Sequence, residues 1–175
     1  MTTTIYTIGH SNRAIGDFLD LPRANAVRLL ADIRTVPTSR HNPQFGQDAL
    51  RRSLAETGID YQHLPGLGGR RRTGPDSINT AWRNTSFRGY ADYMQTAEFT
   101  TAVDELVSLA RDRPTAIMCA EAVPWRCHRS LVSDALLIRG VAVIDIIGPT
   151  SSRPHTLTPW AKVEGMTVTY PAENG

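Results

Sequence analysis

The densest chemistry in this chain is the segment Cys119-Ala120-Glu121-Ala122-Val123-Pro124-Trp125-Arg126-Cys127-His128-Arg129, with two thiols, a carboxylate, an imidazole and two guanidiniums in eleven residues. Apolar Ala116-Ile117-Met118 precedes it and an amphipathic stretch follows, so the segment leaves a strand and enters a helix. Cys127 then falls near a helix N-terminus beside Arg126, His128 and Arg129. That setting favours the thiolate and leaves backbone N–H groups free for an anion. Three readings compete. Cys119 or Cys127 is a nucleophile or redox centre with Glu121 or His128 as its base. Alternatively, Cys119, Cys127 and His128, completed by His10, bind a metal, although the Cys-x7-Cys-His spacing is not that of a zinc finger. Or the cysteines are buried and inert, with Glu121 paired to an arginine. The segment lacks the Cys-x5-Arg spacing of a phosphatase-type phosphate loop, since Arg126 comes one residue late.

Other polar clusters follow other apolar runs. Gly9-His10-Ser11-Asn12 follows Tyr6-Thr7-Ile8, and Asp32-Ile33-Arg34 ends a second run, trailed by Thr38-Ser39-Arg40-His41. Asp32 and Arg34 are two apart on a strand end and share a face. Asp32 is either a general base or the partner that fixes an arginine. Arg34 and Arg40 with Ser39 suit a phosphate or carboxylate. Trp82-Arg83-Asn84-Thr85-Ser86-Phe87-Arg88-Gly89-Tyr90 interleaves aromatics with arginines, a pattern that stacks bases and neutralises phosphates. The plainer reading packs Phe87, Tyr90 and Met94 as a short helix on the sheet and leaves Arg88 and Tyr90 for a site. Arg70-Arg71-Arg72, in a Gly-rich loop, is either a solvated charge run or a grip on a polyanion.

The elements that must position these residues alternate. Strands are predicted around Tyr6–Ile8, Leu29–Ile33, Ile59–Leu64, Ala116–Cys119 and Val141–Ile147, and a short edge strand within 163–170. Helices are predicted over 15–26, where Pro22 should break or kink the helix, and over 47–57, 96–111 and 128–139. This alternation predicts one α/β domain over residues 1–175. A central, mostly parallel sheet of about five strands is flanked by helices in Rossmann-like layers. Pro65 to Ser86 has no apolar period and reads as a long functional loop. Ligands of such sheets bind at the carboxyl ends of the strands, so the scattered clusters should meet along one rim.

Composition narrows the partners. The chain has 175 residues, 41% hydrophobic, and a net charge of +2, too small to coat nucleic acid by charge alone. Its basic side is arginine throughout except for Lys162. No apolar run is long enough to cross a bilayer, so no membrane partner is expected. Met1-Thr2-Thr3-Thr4 carries no basic, apolar leader, and two cysteines make no secreted disulfide framework, so a cytoplasmic protein is expected.

Taken in order, Thr7-Ile8-Gly9-His10-Ser11, Asp32-Ile33-Arg34 through Pro37, Ser39, Arg40 and Pro43-Gln44-Phe45, Leu64-Pro65-Gly66-Leu67-Gly68-Gly69, Phe87-Arg88-Gly89-Tyr90 and Met118-Cys119-Ala120-Glu121 with Cys127-His128-Arg129 resemble the family known as domain of unknown function 488. The resemblance runs from about Ile5 to His155. It implies a compact α/β domain and, through labels carried by some relatives, a link to DNA repair or nucleic acid.

The expected function is an enzyme acting on an anionic substrate such as a nucleotide or nucleic-acid component. Cys119, Glu121, Cys127, His128 and Asp32 are its catalytic candidates. His10, Ser11, Arg34, Ser39, Arg40, Arg88, Tyr90 and Arg129 are its binding candidates. The alternatives are a non-catalytic nucleic-acid module built on Arg70, Arg71, Arg72, Arg83, Arg88 and Trp82, or a Cys/His metal protein. The sequence names no cofactor, substrate or oligomeric state.

Overall fold

The computed structural model of the chain describes residues 2–173. Its strands are β1 (Thr4–Gly9), β2 (Leu29–Asp32), β3 (Asp60–His63), β4 (Thr115–Cys119), β5 (Ala142–Gly148) and β6 (Ser151–Pro154), which form one sheet in the order β3-β2-β4-β1-β5-β6. The first five run parallel, and β6 returns antiparallel beside β5. The helices are α1 (Ile15–Ala24), α2 (Gln47–Glu56), α3 (Thr85–Tyr93), α4 (Ala97–Asp112) and α5 (Arg129–Leu137). The α/β fold class and the mostly parallel sheet are as expected.

Alternation along the strands feeds two cores. Ile8, Leu30, Ala116, Met118 and Ile146 meet Phe18 and Leu21 of α1 and Leu50 and Leu54 of α2. Ile5, Ala31, Ile117 and Val143 face Val103 and Leu106 of α4 and Leu131 and Ala135 of α5. Strands covered on both faces lose their polar alternation, hence the all-buried β2 and β4. Helix starts are fixed by side chains: Thr96 Oγ1 accepts from the Phe99 N–H at 3.3 Å, and Asn84 Oδ1 accepts from the Ser86 N–H at 2.8 Å.

The structure corrects three expectations. Pro22 neither breaks nor ends α1 on the spot. It lies buried in the last turn, and the helix stops at Ala24 instead of residue 26. The sheet has a sixth strand, which the sequence did not reveal because β6, exposed at every position, carries no apolar signal. The stretch predicted as an edge strand folds back on itself as a separate hairpin, β7 (Lys162–Glu164) and β8 (Thr167–Thr169), around Gly165 at φ 60°. Among the described residues no helix is long and apolar enough to cross a membrane.

Candidate functional site

Parallel registration puts the carboxyl ends of the central strands side by side. Gly9 pairs with Cys119, Asp32 with Met118, and Asp32 with His63. The chain stays in register past the strand ends, since the His10 N–H donates to the Cys119 carbonyl and the Ile33 N–H to the Met118 carbonyl, both at 3.0 Å. A side chain on Gly9 would overlap the Glu121 carbonyl, so only glycine lets the turn after β4 cross β1 so closely.

A cavity of about 430 Å³ opens on this rim. Of the catalytic and binding candidates, Arg34, Tyr90, Cys119, Glu121, Cys127 and His128 line it. Arg70 and Arg126 join them. Neither stood out as a cavity residue in sequence, because one sat in a charge run and the other beside the thiols. Three guanidiniums against the Glu121 carboxylate make the lining net positive.

The sulfurs of Cys119 and Cys127 are paired at the cavity wall, and both residues are buried. Arg129 Nη1 donates to Cys119 Sγ at 2.9 Å, and the Arg129 backbone N–H, at the start of α5, donates to Cys127 Sγ at 3.4 Å. His128 Nδ1 lies 3.5 Å from Cys127 Sγ, while its Nε2 sits 3.0 Å from the Ile33 carbonyl oxygen. A carbonyl only accepts, so Nε2 carries the proton and Nδ1 turns a bare lone pair toward sulfur. Burial holds the His128 imidazole neutral, its pKa pulled down to about 4.

Several candidates serve behind the cavity and not in it. Asp32, wholly buried, accepts from Arg34 Nε at 3.0 Å, Arg34 Nη2 at 2.7 Å, the Arg34 N–H at 3.0 Å and the Tyr61 hydroxyl at 2.6 Å. With its oxygens so occupied it fixes an arginine and is no free base. His10 stacks on Phe45 with centroids 4.4 Å apart. Its Nδ1 donates to the Ser11 carbonyl at 2.8 Å, and its Nε2 faces Arg34 Nη1 at 3.5 Å. Burial, reinforced by Arg34, lowers its pKa. His63, which the sequence left without a role, donates from Nε2 to the Arg34 carbonyl at 2.7 Å. Two imidazoles thus pin consecutive carbonyls, Ile33 and Arg34, and hold the loop after β2 at the rim.

Arg129 is the clearest departure. Expected as an anion ligand, it is fully buried and its donors are used inside the protein. Nε reaches Thr7 Oγ1 at 3.2 Å, Nη2 the Ala122 carbonyl at 3.0 Å, and Nη1 the Glu121 carbonyl and Cys119 Sγ. Ser11, Ser39, Arg40 and Arg88 stay off the cavity. The Ser39 hydroxyl accepts from the Asn42 N–H at 3.2 Å, and Arg88 Nε donates to the Trp82 carbonyl at 2.9 Å. The nucleic-acid face built on Trp82 does not assemble either, because that ring packs edge-on against Phe87, Trp160 and Tyr170. Arg71 is held over the Tyr93 ring at 3.7 Å. Among the described residues no group of three or more His, Cys, Asp or Glu is placed to hold a metal ion, so His10 does not complete a set with Cys119, Cys127 and His128.

No curated protein and no solved structure matches the chain. A family model does, over residues 14–136, and that span holds β2, β3, β4 and every residue lining the rim cavity. It is described as domain of unknown function DUF488, and matching well over half of the chain it shows that the protein belongs to that family.

Proposed function

We propose that the protein is a dithiol enzyme acting on an anionic substrate in the Arg34–Arg70–Arg126 cavity. The observation that carries this reading is the Cys119–Cys127 pair at the cavity wall with N–H donors of Arg129 aimed at both sulfurs. Disulfides in reducing compartments are mostly catalytic or redox-sensing. Two buried inert cysteines would need neither the donors aimed at both sulfurs nor a place in a cationic cavity.

In the reduced form, Cys127 loses its proton to water, and the Arg129 N–H at the start of α5 stabilises the thiolate. The thiolate attacks one sulfur of an anionic disulfide R–S–S–R. A Cys127–S–R bond forms, and the first R–S⁻ leaves and takes a proton from water. Cys119 then attacks Cys127 Sγ, the Cys127–S–R bond breaks, and the second R–S⁻ leaves with the Cys119 proton. The protein loses two electrons and closes its disulfide while the substrate gains two, and an external thiol resets the pair. Arg34, Arg70 and Arg126 hold the substrate's charge. Arg129 and its backbone N–H stabilise negative charge on the sulfurs. Glu121, at the rim, tunes which anions enter.

The test is reduced protein with 5,5′-dithiobis(2-nitrobenzoate), an anionic disulfide, against 2-hydroxyethyl disulfide, a neutral one. The wild type should close its own disulfide and prefer the anionic probe, with that preference reduced in Arg126→Ala. Cys119→Ser should stop at a mixed disulfide on Cys127. Thiols that react no faster with the anion, or a preference untouched by Arg126→Ala, defeat the reading.

A further inference from the structure

A second cavity, of about 510 Å³, lies across the 124–126 turn from the first. Trp125 faces it while the adjacent Arg126 faces the rim cavity. We propose that this second cavity is a binding site for the base of a nucleotide. The chain's three tryptophans, Trp82, Trp125 and Trp160, all line it. Trp125 and Trp160 leave 54% and 47% of their surface in water, which is unusual for the largest apolar side chain, and flat indole faces suit flat heteroaromatic rings. Trp82 braces Trp160 edge-on at 5.2 Å, so that wall is preformed.

The polar groups match a base and a phosphate better than an apolar chain. Asp145 lines the cavity though only 2% exposed. Its Oδ1 accepts from Thr7 at 2.5 Å, and its Oδ2 forms a long ion pair with His155 Nδ1 at 3.7 Å. At that separation the ion pair leaves Oδ2 a lone pair that can accept from the amino edge of a base. Arg153 also lines the cavity, its guanidinium 4.9 Å over the Trp125 ring, where it can meet a phosphate while the base stacks. The volume is in the range of small-molecule sites. A sugar would also stack on indole but would not need Arg153.

Because every tryptophan lies at this cavity, intrinsic emission reports on it directly. Titration with adenosine 5′-monophosphate should quench that emission saturably, and ribose 5-phosphate should not. Trp125→Ala, a change at an exposed side chain, should weaken the nucleotide by about tenfold. Cys127→Ser should leave the titration unchanged, so this site stands or falls apart from the thiol chemistry. Equal quenching by ribose 5-phosphate, no saturable quenching, or a midpoint indifferent to Trp125→Ala overturns the proposal.

Discussion

Arg34 is the residue on which the rim depends, because it is a buried charge aimed by another. Its guanidinium is 6% exposed, and among the described residues its only carboxylate partner is Asp32. Removing one member of a buried pair strands the other, which costs about 3–5 kcal/mol, whereas replacing both by apolar groups is often neutral. Asp32→Asn should therefore lower the free energy of urea unfolding by about that amount. The double change Asp32→Asn with Arg34→Met should recover much of the loss. A double variant no more stable than the single would show that Asp32 matters through Tyr61 instead. His10 and His128 extend the same logic. Each is held neutral with one nitrogen tied to a carbonyl, so the other nitrogen keeps a fixed lone pair, toward Arg34 in one case and Cys127 in the other.

At the scale of elements, close approach of backbones sets the shape of the cavity. Helix α3 lies so near the arginine loop that a side chain on Gly89 would overlap the Arg71 carbonyl. The same loop is tied to α3 by the Tyr90 hydroxyl on the Leu67 carbonyl at 2.8 Å and the Tyr93 hydroxyl on the Gly66 carbonyl at 2.6 Å. Gly89→Ala should push that loop off and open the side of the cavity that carries Arg70. The expected outcome is a loss of stability of about 1–3 kcal/mol in urea together with faster proteolysis within residues 68–75. An alanine variant with wild-type stability would mean that the loop can yield. These approaches also explain what the sequence could and could not reveal. Apolar runs such as Leu29–Ile33 and Val141–Ile147 mark strands and which end is polar, so the rim was legible in advance. Which polar groups spend themselves on one another was not. Arg129 reads as a surface arginine at a helix start, and only the fold shows Thr7, Glu121 and Ala122 closing around it. The cavity tryptophans lie far apart in the chain, and β6 has no buried position to betray it.

For the whole molecule, two histidines should bound the pH range of stability from opposite sides. Burial lowers the His128 pKa to about 4, against an ordinary value of 6.5. Between those values the unfolded chain binds a proton that the fold refuses, so its contribution is present above 6.5 and lost as pH falls toward 4. His155 is the reverse. Burial disfavours its charge, but the carboxylates of Asp134, 2.8 Å from Nε2, and Asp145 outweigh that and raise its pKa to about 9. Its contribution is present below 6.5 and lost as pH rises through 9. His155, just past β6, ties Asp134 on α5 to Asp145 on β5, and Asp134 also accepts from Thr158 and from the Tyr170 hydroxyl, both at 2.7 Å. Urea unfolding measured across pH should therefore give a dome between these limits. His155→Gln should flatten only its alkaline side and His128→Gln only its acid side. If His155→Gln lowered stability equally at every pH, the imidazole would be acting by packing and hydrogen bonding, not by its charge.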